Sequence, residues 1–208
     1  MNGNVIQVIF GEGRGKTAAA LGKCIQAVSL GRKVVFISFL KGRNLEEFSC
    51  TARLEPDMKV FCFEKEEECY DMLPDDRKEE EKYNLMNAFH FANKVVETGE
   101  CDLLVLDEVL GMLDLGMISV QDIYRLIEHC DDCIDLIMTG KYMPKELVQH
   151  TDIVSEIQLV KDSLDSAGAA EMPGMVEPVG PVGAAVPDDV SGTDTPSDTE
   201  KADGEIEA

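Results

Sequence analysis

The stretch Val5–Thr17, VIQVIFGEGRGKT, decides how the rest of the chain is arranged. A short apolar run leads into a glycine-rich turn, and Lys-Thr then opens a helical pattern. This order is typical of a phosphate-binding loop, in which a strand aims the turn and backbone N–H groups surround the phosphate oxygens. Glycines favour such a turn because the backbone can approach an oxygen atom closely without a Cβ in the way.

The residues that this loop is predicted to place around a nucleotide are consecutive: Gly11, Glu12, Gly13, Arg14, Gly15, Lys16 and Thr17. Lys16 is expected to add positive charge at the phosphates, and the Thr17 hydroxyl to bind a metal ion. The strict pattern G-x-x-x-x-G-K-[ST] is not met, because Phe10 occupies its first glycine position. The alternative is an ordinary strand–turn–helix junction, which leaves Lys-Thr at the helix start without a purpose.

Length and composition restrict the class of protein. The 208 residues suffice for one domain with a full core. The net charge of −22 argues against binding to nucleic acid or to an anionic membrane. No apolar run approaches the roughly 20 residues of a membrane helix, and the first residues do not resemble a signal peptide. Seven scattered cysteines then favour reduced thiols and a cytoplasmic location.

Apolar runs alternate with helical patterns through the first three quarters of the chain. Strands are predicted at 4–10, 33–39, 58–63, 102–107, 134–139 and 152–161, and helices at 16–30, 75–98 and 119–130, with weaker helical patterns at 44–54 and after 140–144. This alternation predicts an α/β domain, residues 1–162, with a mainly parallel sheet flanked by helices. Ligands of such sheets bind at the carboxyl ends of the strands.

The remaining segment, 163–208, has a different composition. It holds eleven acidic residues against one lysine, five of the eight prolines and no aromatic residue. Such a composition buries too little apolar surface to offset the entropy of ordering. We therefore expect a disordered acidic tail rich in Pro, Gly and Ala.

The run DLLVLDE, which ends at Asp107 and Glu108, indicates the second half of a nucleotide site. An acidic residue at the end of a buried strand commonly binds Mg²⁺, directly or through water, beside the triphosphate. Acidic residues also end strands simply by reaching solvent, so the pairing with the phosphate loop carries the prediction. The predicted metal ligands are Thr17, Asp107 and Glu108.

The segment 129–133, HCDDC, offers a possible zinc site, since Cys130 and Cys133 have half the spacing of a tetrahedral set. His129 is too close in sequence to complete that set well, and the chain has no second C-x-x-C. Two packed thiols near a helix end are the favoured interpretation.

Over residues 4–161 the chain resembles the corrinoid adenosyltransferases of the CobA/CobO/BtuR type, which share the phosphate loop G-x-G-x-G-K-T. The stretches that carry the resemblance are GEGRGKTAAALG, VVFISFLKG, DLLVLDEVLGMLDLGMIS and MTGKYMPKELVQHTDIVSEIQLVK. The run 102–119 and the turn that begins at Thr139 are the most specific of these. The resemblance implies a P-loop (RecA-like) fold and a transferase that uses ATP, Mg²⁺ and a corrinoid.

The resemblance also implies a reaction and a set of residues. A Co(I) corrin attacks the 5′ carbon of ATP, and the whole triphosphate leaves. The implied catalytic residues are Lys16, Thr17, Glu108 and Lys141, and the implied corrinoid pocket is Phe61, Phe63 and Tyr70. Lys141 replaces an arginine that is usual in the family, the chain has no Trp, and the family's usual Lys-His-Pro end segment is missing.

A reductase that supplies Co(I) and a second copy of the chain are the protein partners that the resemblance suggests. Two alternatives stay open at this point. One is a non-catalytic paralogue that binds ATP and corrinoid. The other is a different P-loop ATPase or kinase. The sequence does not say which corrinoid is used.

Overall fold

The computed structural model of the protein describes residues 4–43, 46–130 and 133–161. The strands in these ranges are β1 (Ile6–Phe10), β2 (Val34–Ser38), β3 (Met58–Cys62), β4 (Leu103–Asp107), β5 (Asp135–Gly140) and β6 (Ile153–Glu156). The α-helices are α1 (Lys16–Ser29), α2 (Asp75–Thr98), α3 (Val109–Asp114) and α4 (Val120–His129), and 3-10 helices span Glu46–Leu54, Tyr70–Met72 and Lys145–His150. The segment 163–208, predicted to be a disordered tail, lies outside the described residues.

The six strands form one sheet in the order β3-β2-β4-β5-β1-β6, and every neighbouring pair is parallel. This confirms the predicted α/β architecture with a parallel sheet. Strand β5 lies between β1 and β4 and pairs with both. The carboxyl ends of these three strands therefore meet at one edge of the sheet, where a parallel α/β sheet binds its ligands.

Both faces of the sheet are covered. Alternate residues of a strand point to opposite sides, so a strand contributes side chains to two cores. Val8 and Leu106 belong to the core beneath α2, α3 and α4. Ile9 and Val105 belong to the core beneath α1 and the 3-10 helix Glu46–Leu54. This two-sided burial explains why the strands read as continuous apolar runs instead of alternating ones.

The structure confirms the predicted end of α2 at Gly99 and the predicted start of α4 at Ser119. Gly99 ends α2 in the left-handed conformation with a φ of +63°. Ser119 caps α4, and Asp122 returns the hydrogen bond in a capping box. No helix in the described part of the chain has both the length and the apolar character needed to cross a bilayer.

Two parts of the fold differ from the prediction. Helix α3 was not predicted, because its six residues, VLGMLD, are too few to show a helical period. Strand β6 ends at Glu156 and not at Lys161, since its partner β1 ends at Phe10, which pairs with Glu156. Beyond this point the chain no longer follows a strand. The next residue, Ile157, is hydrogen-bonded to the phosphate loop, since its carbonyl accepts the N–H of Gly13 at 2.9 Å.

Candidate nucleotide-binding site

The phosphate loop connects β1 to α1 and is closed by backbone hydrogen bonds from both sides. The N–H of Gly11 donates to the carbonyls of Gly140 (3.2 Å) and Lys141 (3.1 Å), at the end of β5. The N–H of Gly13 donates to the carbonyl of Ile157 at 2.9 Å. Gly11 has a φ of +121°, a conformation that residues with a Cβ rarely adopt. The loop conformation thus depends on two distant segments of the chain.

Lys16 lies inside this loop. Its Nζ donates to the carbonyl of Gly11 at 2.9 Å and to that of Gly13 at 3.4 Å. The same ammonium is 3.7 Å from a carboxylate oxygen of Glu108. A cavity of about 510 Å³ opens beside it at the first turn of α1. The lining residues are Gly13, Arg14, Gly15, Lys16, Thr17, Ala18, Leu21, Lys41 and Glu108.

The second half of the site is built around Asp107, whose side chain is fully buried. Thr17 Oγ1 donates to Asp107 Oδ2 at 3.0 Å, and Thr139 Oγ1 donates to Oδ1 at 2.7 Å. Lys41 Nζ lies 2.6 Å from Oδ2 and also contacts Thr17 Oγ1. The carboxylate is therefore surrounded by two hydroxyls and an ammonium, which is what a buried charge requires.

Glu108, directly after β4, faces the phosphate loop from the other side. Its backbone has a φ of +64°, and its N–H donates to Thr139 Oγ1 at 2.8 Å. Burial raises the pKa of Glu108 above its usual value, and the positive charge of Lys16 acts in the opposite direction. Arg14, Lys16 and Lys41 line the cavity together with Glu108, and Asp107 lies buried next to Lys41. The site therefore offers cationic side chains to an anion and carboxylates to a divalent cation.

The predicted phosphate and metal residues are thus brought to one edge of the sheet, although the roles assigned to them stay predictions. Lys141 is at this edge through its backbone carbonyl. Its side chain is 52% exposed and lies 3.4 Å from a carboxylate oxygen of Glu12. A hydrogen bond with Tyr142 and the charge of Glu12 raise the pKa of Lys141.

The three aromatic residues predicted to contact a corrinoid do not form one cluster of rings. Phe61 and Phe63 both pack on Phe91 of α2, with ring centroids 4.8 and 5.4 Å apart. Phe61 also lines a cavity of about 600 Å³ at the amino ends of β2 and β4. Tyr70 lies with its ring 5.9 Å from Lys78 Nζ, and its N–H donates to the carbonyl of Leu40 at 3.2 Å. Their role in corrinoid binding stays a prediction.

Two side chains of the site were missed from the sequence. Lys41 follows β2 and Thr139 lies near the end of β5, so both stand at carboxyl ends of strands. A polar residue near the carboxyl end of an apolar strand is the sequence signal that these two residues share with Asp107 and Glu108.

A phosphate loop, an acidic strand end and the Thr139 turn therefore meet in one site. Comparison with known protein families agrees with this arrangement. The family model for ATP:corrinoid adenosyltransferase BtuR/CobO/CobP matches residues 2–175. The chain belongs to this family. Corrinoid adenosyltransferases are transferases, and the family's name identifies ATP and a corrinoid as the substrate class.

Curated relatives support the assignment over most of the chain. The corrinoid adenosyltransferase of Escherichia coli is 25% identical over 174 residues, which cover 81% of this chain and 83% of that protein. The corrinoid adenosyltransferase CobA of Salmonella typhimurium has the same identity and coverage. An uncharacterised protein of Nostoc sp. is 26% identical over 163 residues, which cover 74% of this chain and 43% of that protein.

Proposed function

We propose that this corrinoid adenosyltransferase transfers the 5′-deoxyadenosyl group of ATP to a Co(I) corrinoid and releases tripolyphosphate. The cobalt lone pair forms the Co–C bond to the 5′ carbon while the C–O bond breaks, and the triphosphate leaves with that electron pair. Cobalt is formally oxidised from Co(I) to Co(III). The observation that carries the proposal is the pairing of the Lys16 loop with Thr17 and Asp107 at one edge of the sheet.

Stabilisation of the leaving group is the chemistry that this site can supply. Negative charge grows on the triphosphate in the transition state, so fixed donors beside it lower the barrier. Lys16 and the start of α1 would supply positive potential there, while the N–H groups of Gly11 and Gly13 hold the loop in place through neighbouring carbonyls. Lys141, at the mouth of the loop, is our proposed further phosphate contact. Because cobalt is the nucleophile, the reaction needs no protein base.

The donors beside the loop fit a Mg²⁺ ion. Thr17 supplies a hydroxyl oxygen and Asp107 and Glu108 supply carboxylate oxygens, the hard ligands that Mg²⁺ prefers in combination with phosphates and waters. We propose that these three residues hold it, directly or through water. When bound, the ion neutralises part of the triphosphate charge.

We also propose that Phe61, Phe63 and Tyr70 form part of the corrinoid pocket, as the family resemblance implies. An apolar environment around the corrin would exclude water and orient the cobalt towards the 5′ carbon. A reductase that delivers Co(I) follows as the proposed protein partner, since the reaction consumes that oxidation state. Lys141, in place of the usual arginine, is the observation that favours the second candidate, a non-catalytic ATP- and corrinoid-binding protein.

One anaerobic experiment separates the candidates. The full chain is mixed with ATP, Mg²⁺ and chemically reduced cobalamin, and both the corrinoid spectrum and the phosphate products are followed. Adenosylation yields a light-sensitive Co–C product and tripolyphosphate. A carrier binds both ligands without turnover. A kinase or ATPase releases ADP or phosphate whether or not the corrinoid is present, and that outcome would overturn the proposed function.

A further inference from the structure

Lys41 occupies the place where the proposed metal ligands converge. Its Nζ is 2.6 Å from Asp107 Oδ2 and contacts Thr17 Oγ1, so one ammonium touches two of the three proposed Mg²⁺ ligands. Thr139 already satisfies the other oxygen of Asp107. The ammonium is thus held at Oδ2, and the Lys41 side chain, which is 26% exposed, lines the same cavity as Lys16.

The backbone that carries Lys41 is held firmly by the segment between β3 and α2. The carbonyl of Leu40 accepts the N–H of Tyr70 at 3.2 Å, and Leu40 itself has a φ of +64°. The N–H of Gly42 donates to the buried carboxylate of Glu64 at 2.9 Å. Because both neighbours of Lys41 are fixed, its four-carbon side chain is the part that can change position.

We propose that Lys41 is a substrate-binding residue with two positions, an inference that rests on the proposed Mg-ATP site. Without a metal, its ammonium compensates the buried charge of Asp107. When Mg²⁺ and ATP bind, the ammonium leaves Asp107 and Thr17 and contacts the phosphate oxygens of the nucleotide. Lys41 is therefore a competitor of Mg²⁺ in the empty site and a ligand of the triphosphate in the filled one.

Electrostatics and space support this exchange. Mg²⁺ binds oxygen ligands at about 2.0–2.1 Å, so an ion bound directly to Asp107 Oδ2 and Thr17 Oγ1 would lie where the Lys41 ammonium contacts both atoms. The two like charges would also repel strongly in a partly buried site. Lys41 lines the same 510 Å³ cavity as Lys16, so its side chain has room to turn towards a triphosphate placed there. A permanent ion pair between Lys41 and Asp107 is the opposing interpretation.

The test measures binding of Mg²⁺ alone and of Mg-ATP to the full chain by isothermal titration calorimetry. In Lys41→Met the competing cation is gone, so the affinity for Mg²⁺ alone should rise about tenfold. The affinity for ATP at saturating Mg²⁺ should fall about tenfold, because a charged phosphate contact is lost. Lys94→Met, an exposed lysine on α2, is the matched control and should change neither value.

Either an unchanged affinity for Mg²⁺ alone or an unchanged affinity for Mg-ATP in Lys41→Met overturns the proposal. Lys41→Gln, which keeps hydrogen-bond donors without the charge, gives the same test if the methionine variant does not fold. If the unmodified chain binds no Mg-ATP, the proposed function fails. In that case the titration with Mg²⁺ alone still decides whether Lys41 competes with the metal.

Discussion

The carbonyl oxygen of Ile157 fills the space that a side chain on Gly11 would need. A Cβ added to Gly11 would lie 2.3 Å from that oxygen, well inside any permitted contact. The same oxygen accepts the N–H of Gly13 at 2.9 Å. The segment after β6 therefore supports the phosphate loop. The loop packs this closely against it because position 11 is a glycine.

Gly11→Ala is expected to lower the free energy of unfolding by about 2 kcal/mol or more, because the new methyl meets backbone and φ is positive. ATP affinity should fall as well, since the loop must open to admit the methyl. Urea unfolding and ATP titration measure the two effects. Gly22→Ala is the control: with open space around it in α1, it should gain about 0.5–1 kcal/mol of stability. A Gly11→Ala protein as stable as the unmodified chain would contradict this packing.

Lys16→Ala is expected to lower kcat/KM for adenosylation about a hundredfold or more, the usual effect of losing one fixed donor at a developing charge. ATP affinity should fall too, because Lys16 also holds the loop through Gly11 and Gly13. Steady-state kinetics and ATP titration report both. Lys23→Ala, exposed on the same helix, should leave both values near those of the unmodified enzyme. Retained activity in Lys16→Ala would remove Lys16 from the mechanism.

Local patterns were enough to predict most of the fold. The central strands β1, β2, β4 and β5 appear in the sequence as apolar runs, and the helix ends at Gly99 and Ser119 follow from capping chemistry. What failed was α3, which is too short for a periodic signal, and the length of β6. The end of β6 depends on where β1 stops, and that is a property of strand pairing and not of the residues 157–161 themselves.

The placement of the candidate site residues at one edge of the sheet was predictable where the motif is continuous in sequence. Lys16 and Thr17 follow from the loop, and Asp107 follows from its buried strand. Thr139 and Lys41 were missed because their role depends on strand order: β5 lies between β1 and β4, and β2 lies on the other side of β4. Sequence patterns predict strands, but they do not predict which strands are neighbours.

Thr139 provides a direct test of the link between the two halves of the site. Its hydroxyl donates to Asp107 and accepts from the N–H of Glu108. Thr139→Val keeps the shape but removes the acceptor of the Glu108 N–H and one of the donors to Asp107, so the free energy of unfolding should fall by about 1–3 kcal/mol. Affinity for Mg-ATP should fall as well. Thr139→Ser keeps the hydroxyl and should retain most of the affinity. Equal affinities in the two variants, compared by calorimetry, would show that the hydroxyl has no role.

Burial of Glu64 gives the fold an expected pH dependence. Burial raises the pKa of this carboxyl from 4.5 to about 7; the hydrogen bond from Gly42 lowers it, and the charge of Glu81 raises it further. The folded state therefore binds the proton more tightly than the unfolded state. The stability that this proton supplies is complete below about pH 4.5 and is lost as the pH rises to about 7.

Glu64→Gln should remove this loss, because glutamine stays neutral and can still accept the N–H of Gly42. We expect the variant to match the unmodified protein near pH 4.5 and to exceed its free energy of unfolding at pH 8 by about 3 kcal/mol. Urea unfolding between these pH values measures the difference. Burial also raises the pKa values of Glu108 and Asp114, but both proteins share these carboxyls, so their contributions cancel from the difference. Glu80→Gln, an exposed carboxyl paired with Lys65, controls for the lower net charge and should gain no stability at pH 8. A Glu64→Gln difference that is constant with pH would show that this carboxyl does not titrate in the window.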